Sequence, residues 1–237
     1  RRVLFRSIIN GEIVSPNPEI LIALKDENPF LIMDQPADTS LFKVFLSQPG
    51  GSLEPVFFVN STGEEIMQFF PAESQNNRAR IIYRPELTEN GEYTLLIQAS
   101  DKSGNSSGNT DYRIDFEVFT EYTITDVPNY STHFTNSTQF IFTLTGDLIP
   151  DEFKIQIMTI SGKVVREITQ AEFGPIRIGR NRSSYRWDAR DEYGDRLANG
   201  VYLYRVIARA NGEDIELRDG GASQYFERGF GKMVLFR

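Results

Sequence analysis

The sequence predicts an all-β protein built as two antiparallel β-sandwiches in tandem, and three observations predict it. No long segment of the 237 residues holds a 3.6-residue apolar period, while short alternating runs recur, punctuated by Gly, Pro, Asn and Ser. One stretch, Ser184–Ala208 (SYRWDARDEYGDRLANGVYLYRVIA), carries the only tryptophan, Trp187, then an Asp/Gly-rich turn, then Asn199-Gly200-Val201-Tyr202 opening a strand. Alternation there puts Val201, Leu203 and Arg205 on one face and Tyr202, Tyr204 and Val206 on the other. A shorter version of the same pattern occurs at Leu87–Ser100 (LTENGEYTLLIQAS). Tyr93 and Tyr202 therefore stand about one sandwich length apart, roughly 100 residues.

Both tyrosines lie just inside a late strand after an Asn-Gly turn. From that position a tyrosine hydroxyl bonds back to the backbone in the tyrosine corner of Ig-like sandwiches. Each sandwich is accordingly expected to be Ig-like or fibronectin-III-like.

Taken in order, Ile8–Pro18 is a turn-rich entry, and Arg1–Ser7 shares no pattern with the rest of the chain. Glu19–Leu24 alternates Ile20, Ile22 and Leu24 against Glu19, Leu21 and Ala23, a first strand. Lys25–Ser40, with its Asn-Pro and Gln-Pro pairs, reads as an irregular connection. Leu41–Leu46, Val56–Val59, Glu65–Phe70 and Arg78–Tyr83 are the next short strands, set between turn signals. Tyr93–Ser100 and Asp111–Phe119 form a hairpin across DKSGNSSGNT. Its second arm turns Tyr112, Ile114, Phe116 and Val118 inward and Asp111, Arg113, Asp115 and Glu117 to water. The boundary falls near Thr120, giving domains over 8–119 and 120–237, which are expected to abut.

In the second domain, Tyr122–Asp126 and Thr138–Thr145 are strands, the latter burying Phe140, Phe142 and Leu144. Phe153–Thr159 pairs with Val164–Thr169 through Ile160-Ser161-Gly162-Lys163, a hairpin signal. The Trp187 stretch comes next, then a hairpin through Asn211-Gly212 to Glu213–Leu217, a glycine-rich loop, and a last strand over Lys232–Arg237.

Composition excludes several functions. The net charge of −8 comes without a Lys/Arg run, which argues against nucleic acid and anionic membrane surfaces as partners. Zero cysteines remove disulfides, thiolate metal sites and a cysteine nucleophile from these residues. No run approaches the roughly 18 apolar residues of a membrane helix. The chain opens on Arg1 rather than Met and reads as the C-terminal piece of something longer.

Catalytic sets are not found, and no cofactor is expected. His133, the only histidine, lies between Thr132 and Phe134 with no nucleophile or orienting group beside it, and reads as a surface residue. Asp188, Asp191, Glu192 and Asp195 place four carboxylates on one turn region, a set that calcium with its oxygen ligands could use. Their order is not that of an EF-hand. The favoured reading has Asp188 and Asp191 bonding local backbone amides while Glu192 and Asp195 stay solvated, with no metal. Asp101, Ser103 and Asn105 read the same way. Gly220-Gly221 and Gly229-Phe230-Gly231 lack the context of a phosphate loop and read as turns. Tyr130, Tyr193 and Tyr225 could stack on sugar rings, which keeps an adhesive or carbohydrate-binding module as the alternative.

The second domain also carries a connected set of motifs. Ile160-Ser161-Gly162-Lys163-Val164-Val165 is followed by Trp187-Asp188, Asp191 and Gly194, then by Gly200-Val201-Tyr202, and finally by Lys232-Met233-Val234 with Leu235, Phe236 and Arg237. This series resembles the C-terminal sorting module of proteins exported by the type IX system of Bacteroidota, and the related Ig-like domain of flagellar hook-capping proteins. The resemblance covers 121–237. Its opening differs, because Val127-Pro128-Asn129-Tyr130 lacks the family's second proline. With the adjoining domain, whose LIALKDENPFL and ENGEYTLLIQASDKSGN segments resemble the same source, the whole is similar to the tail of gingipain-type cysteine peptidases related to the type IX sortase.

That resemblance implies a non-catalytic C-terminal segment, with the catalytic domain of the parent peptidase upstream as one partner and the type IX machinery as another. It implies an extracellular or outer-membrane surface location, and assigns export or anchoring to Lys232–Arg237. A terminal strand with a basic-apolar ending could be read by β-augmentation or by surface contact.

Overall fold

Alternating apolar side chains leave each strand one face to bury, and the chain resolves that requirement twice. It divides into two units, Arg1–Thr120 and Glu121–Arg237, each with its own pair of sheets and its own apolar core. The computed structural model describes residues 2–5, 8–25, 30, 32–73, 77–106, 111–125, 127, 129–218, 226–227 and 230–237. Gly220-Gly221, Tyr225 and Gly229 lie outside them.

The first unit contains β1 (Arg2–Phe5), β2 (Ile13–Val14), β3 (Ile20–Lys25), a 3-10 helix at Pro36–Leu41, β4 (Phe42–Ser47) and β5 (Leu53–Val56). It continues with β6 (Met67–Phe70), β7 (Arg78–Tyr83), β8 (Gly91–Ala99) and β9 (Tyr112–Val118). One sheet runs β1-β3-β7-β6 and the other β2-β9-β8-β4-β5. Between them lie Ile20, Ile22, Leu24, Ile81, Val44, Leu95, Ile97, Ile114 and Phe116, all buried, with the Tyr93 and Phe116 rings stacked at 5.8 Å.

The second unit contains β10 (Thr123–Thr125), β11 (Asn129–Tyr130), β12 (His133–Phe134), β13 (Gln139–Leu144), β14 (Glu152–Thr159) and β15 (Val164–Thr169). A single-turn helix α1 (Gln170–Phe173) precedes β16 (Gly179–Arg182), β17 (Gly200–Ala210), β18 (Glu213–Asp214), β19 (Glu216–Arg218), β20 (Phe226–Glu227) and β21 (Phe230–Leu235). One sheet is ordered β11-β13-β10-β19 with β16 beside β13; the other is β12-β21-β17-β14-β15. Its core stacks Phe142, Phe153 and Phe173 within 5.2 Å of one another and sets Phe140 edge-on to Tyr204 at 5.0 Å.

Both units are antiparallel sandwiches of the Ig/fibronectin-III kind, and three short pairs, β2/β9, β10/β19 and β12/β21, run parallel. Several boundaries differ from the sequence reading. The strand expected at Val56–Val59 is β5, Leu53–Val56, and Phe57 continues exposed beyond it. Tyr112, the first residue of β9, is 37 % exposed rather than inward. The arm expected at Glu213–Leu217 splits: Asp214 still pairs with Arg209, but Glu216–Arg218 crosses to the other sheet beside Thr123–Thr125, with buried Ile215 as the pivot. Such sheet-switching corners are how sandwiches close. The last strand ends at Leu235, not Arg237. Gly231 is a strand residue opposite Tyr204, not part of a turn.

One turn recurs four times. In NSTGE, DKSGN, TISGK and DEYGD, the first residue's amide donates to the fifth residue's carbonyl and the glycine amide donates back to the first carbonyl. The first side chain, on Asn60, Asp101, Thr159 or Asp191, accepts from the amide of the fifth residue in TISGK and of the third and fifth in the other three. Gly63, Gly104, Gly162 and Gly194 have φ between 81° and 87°, which completes a type I turn with a G1 bulge.

Candidate functional site

Trp187, Asp188, Gly200 and Tyr202 of the second unit's signature converge on the end of β21, while Asp191 and Gly194 form a turn beside β15. Trp187 is wholly buried, donates Nε1–H to Arg190 O at 2.9 Å, and packs its ring against Phe134 at 5.8 Å and Tyr202 at 6.3 Å. Phe134 belongs to β12, which lies parallel to β21 at Val234 and Leu235. Tyr202, on β17, stands opposite Met233, and its hydroxyl donates to Ala198 O at 2.8 Å. Burial raises the pKa of that hydroxyl, with nearby Arg237 pulling the other way. Tyr93 makes the equivalent bond in the first unit, to Glu89 O at 3.0 Å.

The chain beyond β21 is clasped at the same corner. The Arg237 amide donates to Asn199 Oδ1 at 3.0 Å, and Asn199 Nδ2 donates to Arg237 O at 3.1 Å. The Arg237 guanidinium donates to Asp188 O at 2.8 Å and to Thr135 O at 3.3 Å. Trp187-Asp188, Asn199-Gly200 and Tyr202 thus form one seat for the terminal strand, which explains why they occur together.

The strand presents two faces. Met233 and Leu235 are core residues, whereas Lys232, Val234 and Phe236 face away from the core, Phe236 being 70 % exposed. Register sets Lys232 beside Leu203 and Val234 beside Val201, and continues through Met158 to Val164. The result is an outward-facing apolar strip of Val201, Leu203, Val234, Met158 and Val164 crossing four strands. In it Met158 is buried, Val201, Leu203 and Val234 are half-buried and Val164 is exposed, with Ile160 at its rim 72 % exposed. Lys232 borders it on one side. Arg205, bonded to Gln156 Oε1 at 2.8 Å, and Gln156, bonded to Glu167, border it on another. The sequence signal for the strip was the start of β17, which is apolar on both faces.

β21 is not an edge strand of this sheet, and the β15 edge is partly covered. The outer side of β21 is occupied by β12 and β20, so β-augmentation along β21 has no open row of amides, and surface contact remains. At the β15 edge, the Glu192 amide donates to Val165 O at 3.1 Å and its carboxylate accepts from the Glu167 amide and from Arg166 at 2.8 Å. Blunting of this kind is how sheets avoid unwanted pairing.

The four candidate calcium ligands separate. Asp191 accepts from the Tyr193 and Asp195 amides at 3.0 and 2.9 Å. Asp188 pairs with the Arg190 side chain at 3.0 Å rather than a backbone amide, and Glu192 is engaged at the β15 edge rather than solvated. Among the described residues no group of three or more His, Asp or Glu side chains could hold a metal. Asp101 accepts from Ser103 and Asn105 in the matching turn. His133 is exposed on β12. Tyr130 and Tyr193 are exposed on separate elements, Tyr130 beneath the Arg182 guanidinium at 5.8 Å. No helix among the described residues is long and apolar enough to cross a membrane.

No protein-family model and no curated protein matches the chain. Among solved structures, dimeric latent PorU from Porphyromonas gingivalis is similar at 15 % identity and a TM-score of 0.36, the match covering 99 % of this chain and 20 % of that one. The fibronectin(III)-like modules of Clostridium thermocellum CbhA are similar at 13 % identity, 96 % and 100 % coverage and a TM-score of 0.28. The ectodomain of the teleost fish polymeric Ig receptor is similar at 11 % identity, 92 % and 98 % coverage and a TM-score of 0.33. The chain spans about a fifth of the PorU chain, and at these scores none of the three carries an argument about function.

Proposed function

We propose that this chain is a non-catalytic accessory segment of a larger exported bacterial protein, whose second sandwich docks on export or surface-anchoring machinery. The observation that supports this most is the division of β21. Met233 and Leu235 anchor it in the core while Lys232, Val234 and Phe236 continue an outward-facing, partly exposed apolar strip with a basic border. An apolar strip rimmed by polar groups is the usual form of a protein-binding surface. The motif series that resembles the type IX sorting module runs through these residues, which makes that machinery the leading partner and the outer-membrane surface or medium the destination. Zero cysteines and a single histidine leave any peptidase chemistry to the parent's catalytic domain.

The test is export of the 237-residue chain behind a signal peptide and a fluorescent reporter, in a type IX-competent host. Deleting Lys232–Arg237 would be uninformative, because it removes Met233 and Leu235 from the core. Substitutions confined to the outer face, Lys232→Glu, Val234→Lys and Phe236→Ser, avoid that fault. Native delivery to the surface or medium with periplasmic retention of folded variants is the expected result. Delivery unchanged in all three variants would remove the docking reading and leave a scaffold.

A further inference from the structure

The outer face of the β3–β7 pair in the first unit carries charges that the described residues leave unneutralised. Ala79, Ile81 and Tyr83 face the core, so Arg78 and Arg80 lie on the opposite side of β7. Register places Lys25 directly opposite Arg78 and Ala23 opposite Arg80. Just beyond the other end of the same two strands, Glu19 meets Arg84 in an ion pair of 2.7 Å. One end of the ladder joins opposite charges, while the other sets two cations face to face, a destabilising arrangement on a sheet.

Two further observations turn that cost into a site. Arg78 Nε is buried and has no hydrogen-bond partner, and a buried donor left unpaired costs its desolvation. Arg78, Arg80, Pro71 and Glu73 line a cavity of about 180 Å3, well below the roughly 300 Å3 at which pockets take drug-sized ligands. The Arg80 guanidinium is held over the Phe70 ring at 5.7 Å from its centre. The space suits one small group, and its donors are two guanidinium groups; Lys25 does not line it but stands opposite Arg78 in the register.

We propose that Arg78, Arg80 and Lys25 bind a single tetrahedral oxyanion, a phosphate or sulfate group such as a sugar ester presents. Guanidinium forks match such oxygens in a bidentate manner, which an isolated lysine does not. The Glu73 carboxylate lines the same cavity and, like the net charge of −8, selects against extended polyanions. The site belongs to the first unit and is independent of the docking strip. It is hidden in the sequence because its cations come from two strands far apart in the chain.

The test is a titration of the 15N-labelled 237-residue chain with inorganic phosphate and with glucose 6-phosphate, at ionic strength held constant with sodium chloride, following arginine Nε–Hε resonances. The Arg78 resonance should move saturably while that of Arg84, tied to Glu19, stays. The Arg80 resonance should move saturably as well, and in Arg78→Gln that Arg80 response should be abolished. Arg80→Gln and the milder Lys25→Gln should each weaken the binding read at Arg78 roughly tenfold, the loss for one charge-assisted bond. Tighter binding of the sugar ester identifies an esterified ligand, and equal binding identifies the free ion. Linear drift of Arg78 and Arg84 together, or native binding by a folded Arg78→Gln chain, overturns the proposal.

Discussion

The ring of Tyr204 occupies the space where a β-carbon on Gly231 would have to stand. The two residues are opposite each other on β17 and β21, and the Tyr204 hydroxyl reaches past the glycine to donate to Val127 O. Tyr204 is almost wholly buried, with Phe140 edge-on to it, so the ring has no room to retreat. Gly231→Ala should therefore destabilise the second unit by about 1–3 kcal/mol or more, as overpacking does. The Gly231→Ala/Tyr204→Leu double variant should recover part of that loss, a non-additivity that marks direct contact. Urea unfolding followed by Trp187 fluorescence, which reports the second unit alone, measures both. Strict additivity would disprove the clash.

The tyrosine hydroxyls on β8 and β17 make the same bond, four residues back to Glu89 O and Ala198 O. Tyr93→Phe and Tyr202→Phe should each cost about 0.5–1.5 kcal/mol, the net worth of one hydrogen bond. Only Tyr202→Phe should shift the Trp187 transition, since Tyr202 packs on that ring. A wild-type melt for either variant would show that the hydroxyl contributes nothing to its corner.

Strands with an apolar row were legible because alternation is a local property: Glu19–Leu24, Thr138–Thr145 and Val201–Val206 fall on β3, β13 and β17. β16 was not legible. Its inward positions are Gly179 and Asn181, and Asn181 is buried by bonding Arg177 O and Gly179 O rather than by hydrophobicity. The crossing at Ile215 and the parallel seat of β12 against β21 are long-range choices that no local pattern encodes. The motif residues Trp187, Gly200 and Tyr202 could be found in the sequence, but their common purpose, seating β21 and clasping Arg237, needed coordinates. The outward strip was missed because an apolar residue on the solvent face of a strand looks like a core residue in the wrong register.

Buried phenols set the alkaline limit. Burial pushes Tyr83 and Tyr122 up to about 12, with Asp151 adding to the effect at Tyr122, and raises Tyr204 further. Unfolded tyrosines titrate near 10, so above that pH the unfolded chain releases protons that the folded chain retains. The stabilisation is complete below about pH 10 and is lost as pH rises through about 12. Denaturation midpoints should stay level up to about pH 10 and then fall, with part of the tyrosinate absorbance appearing only on unfolding. Full tyrosinate absorbance near pH 10 in a chain that still resists urea would contradict the burial of these rings.

The four matching turns separate a structural role for Asp191 from a metal-binding one. Asp101 and Asp191 use one carboxylate oxygen each to accept two backbone amides, and Asn60 does the same with an amide oxygen. A negative charge is therefore not required, and Asp101→Asn and Asp191→Asn should be tolerated. Asp101→Ala, which strips two backbone-amide bonds and the bond from Asn105 Nδ2 at a buried position, should cost about 1–3 kcal/mol, and Asp191→Ala, in a more open turn, less. Gly194→Ala should be strained by the positive φ of 87° at that residue. Because the Asp191 carboxylate is committed to the backbone and Asp188 and Glu192 to arginines, millimolar calcium should leave the Tm of the chain unchanged. A rise in Tm with calcium that disappears in Asp191→Asn would reverse this assignment, since only a coordinated cation distinguishes the carboxylate from its amide.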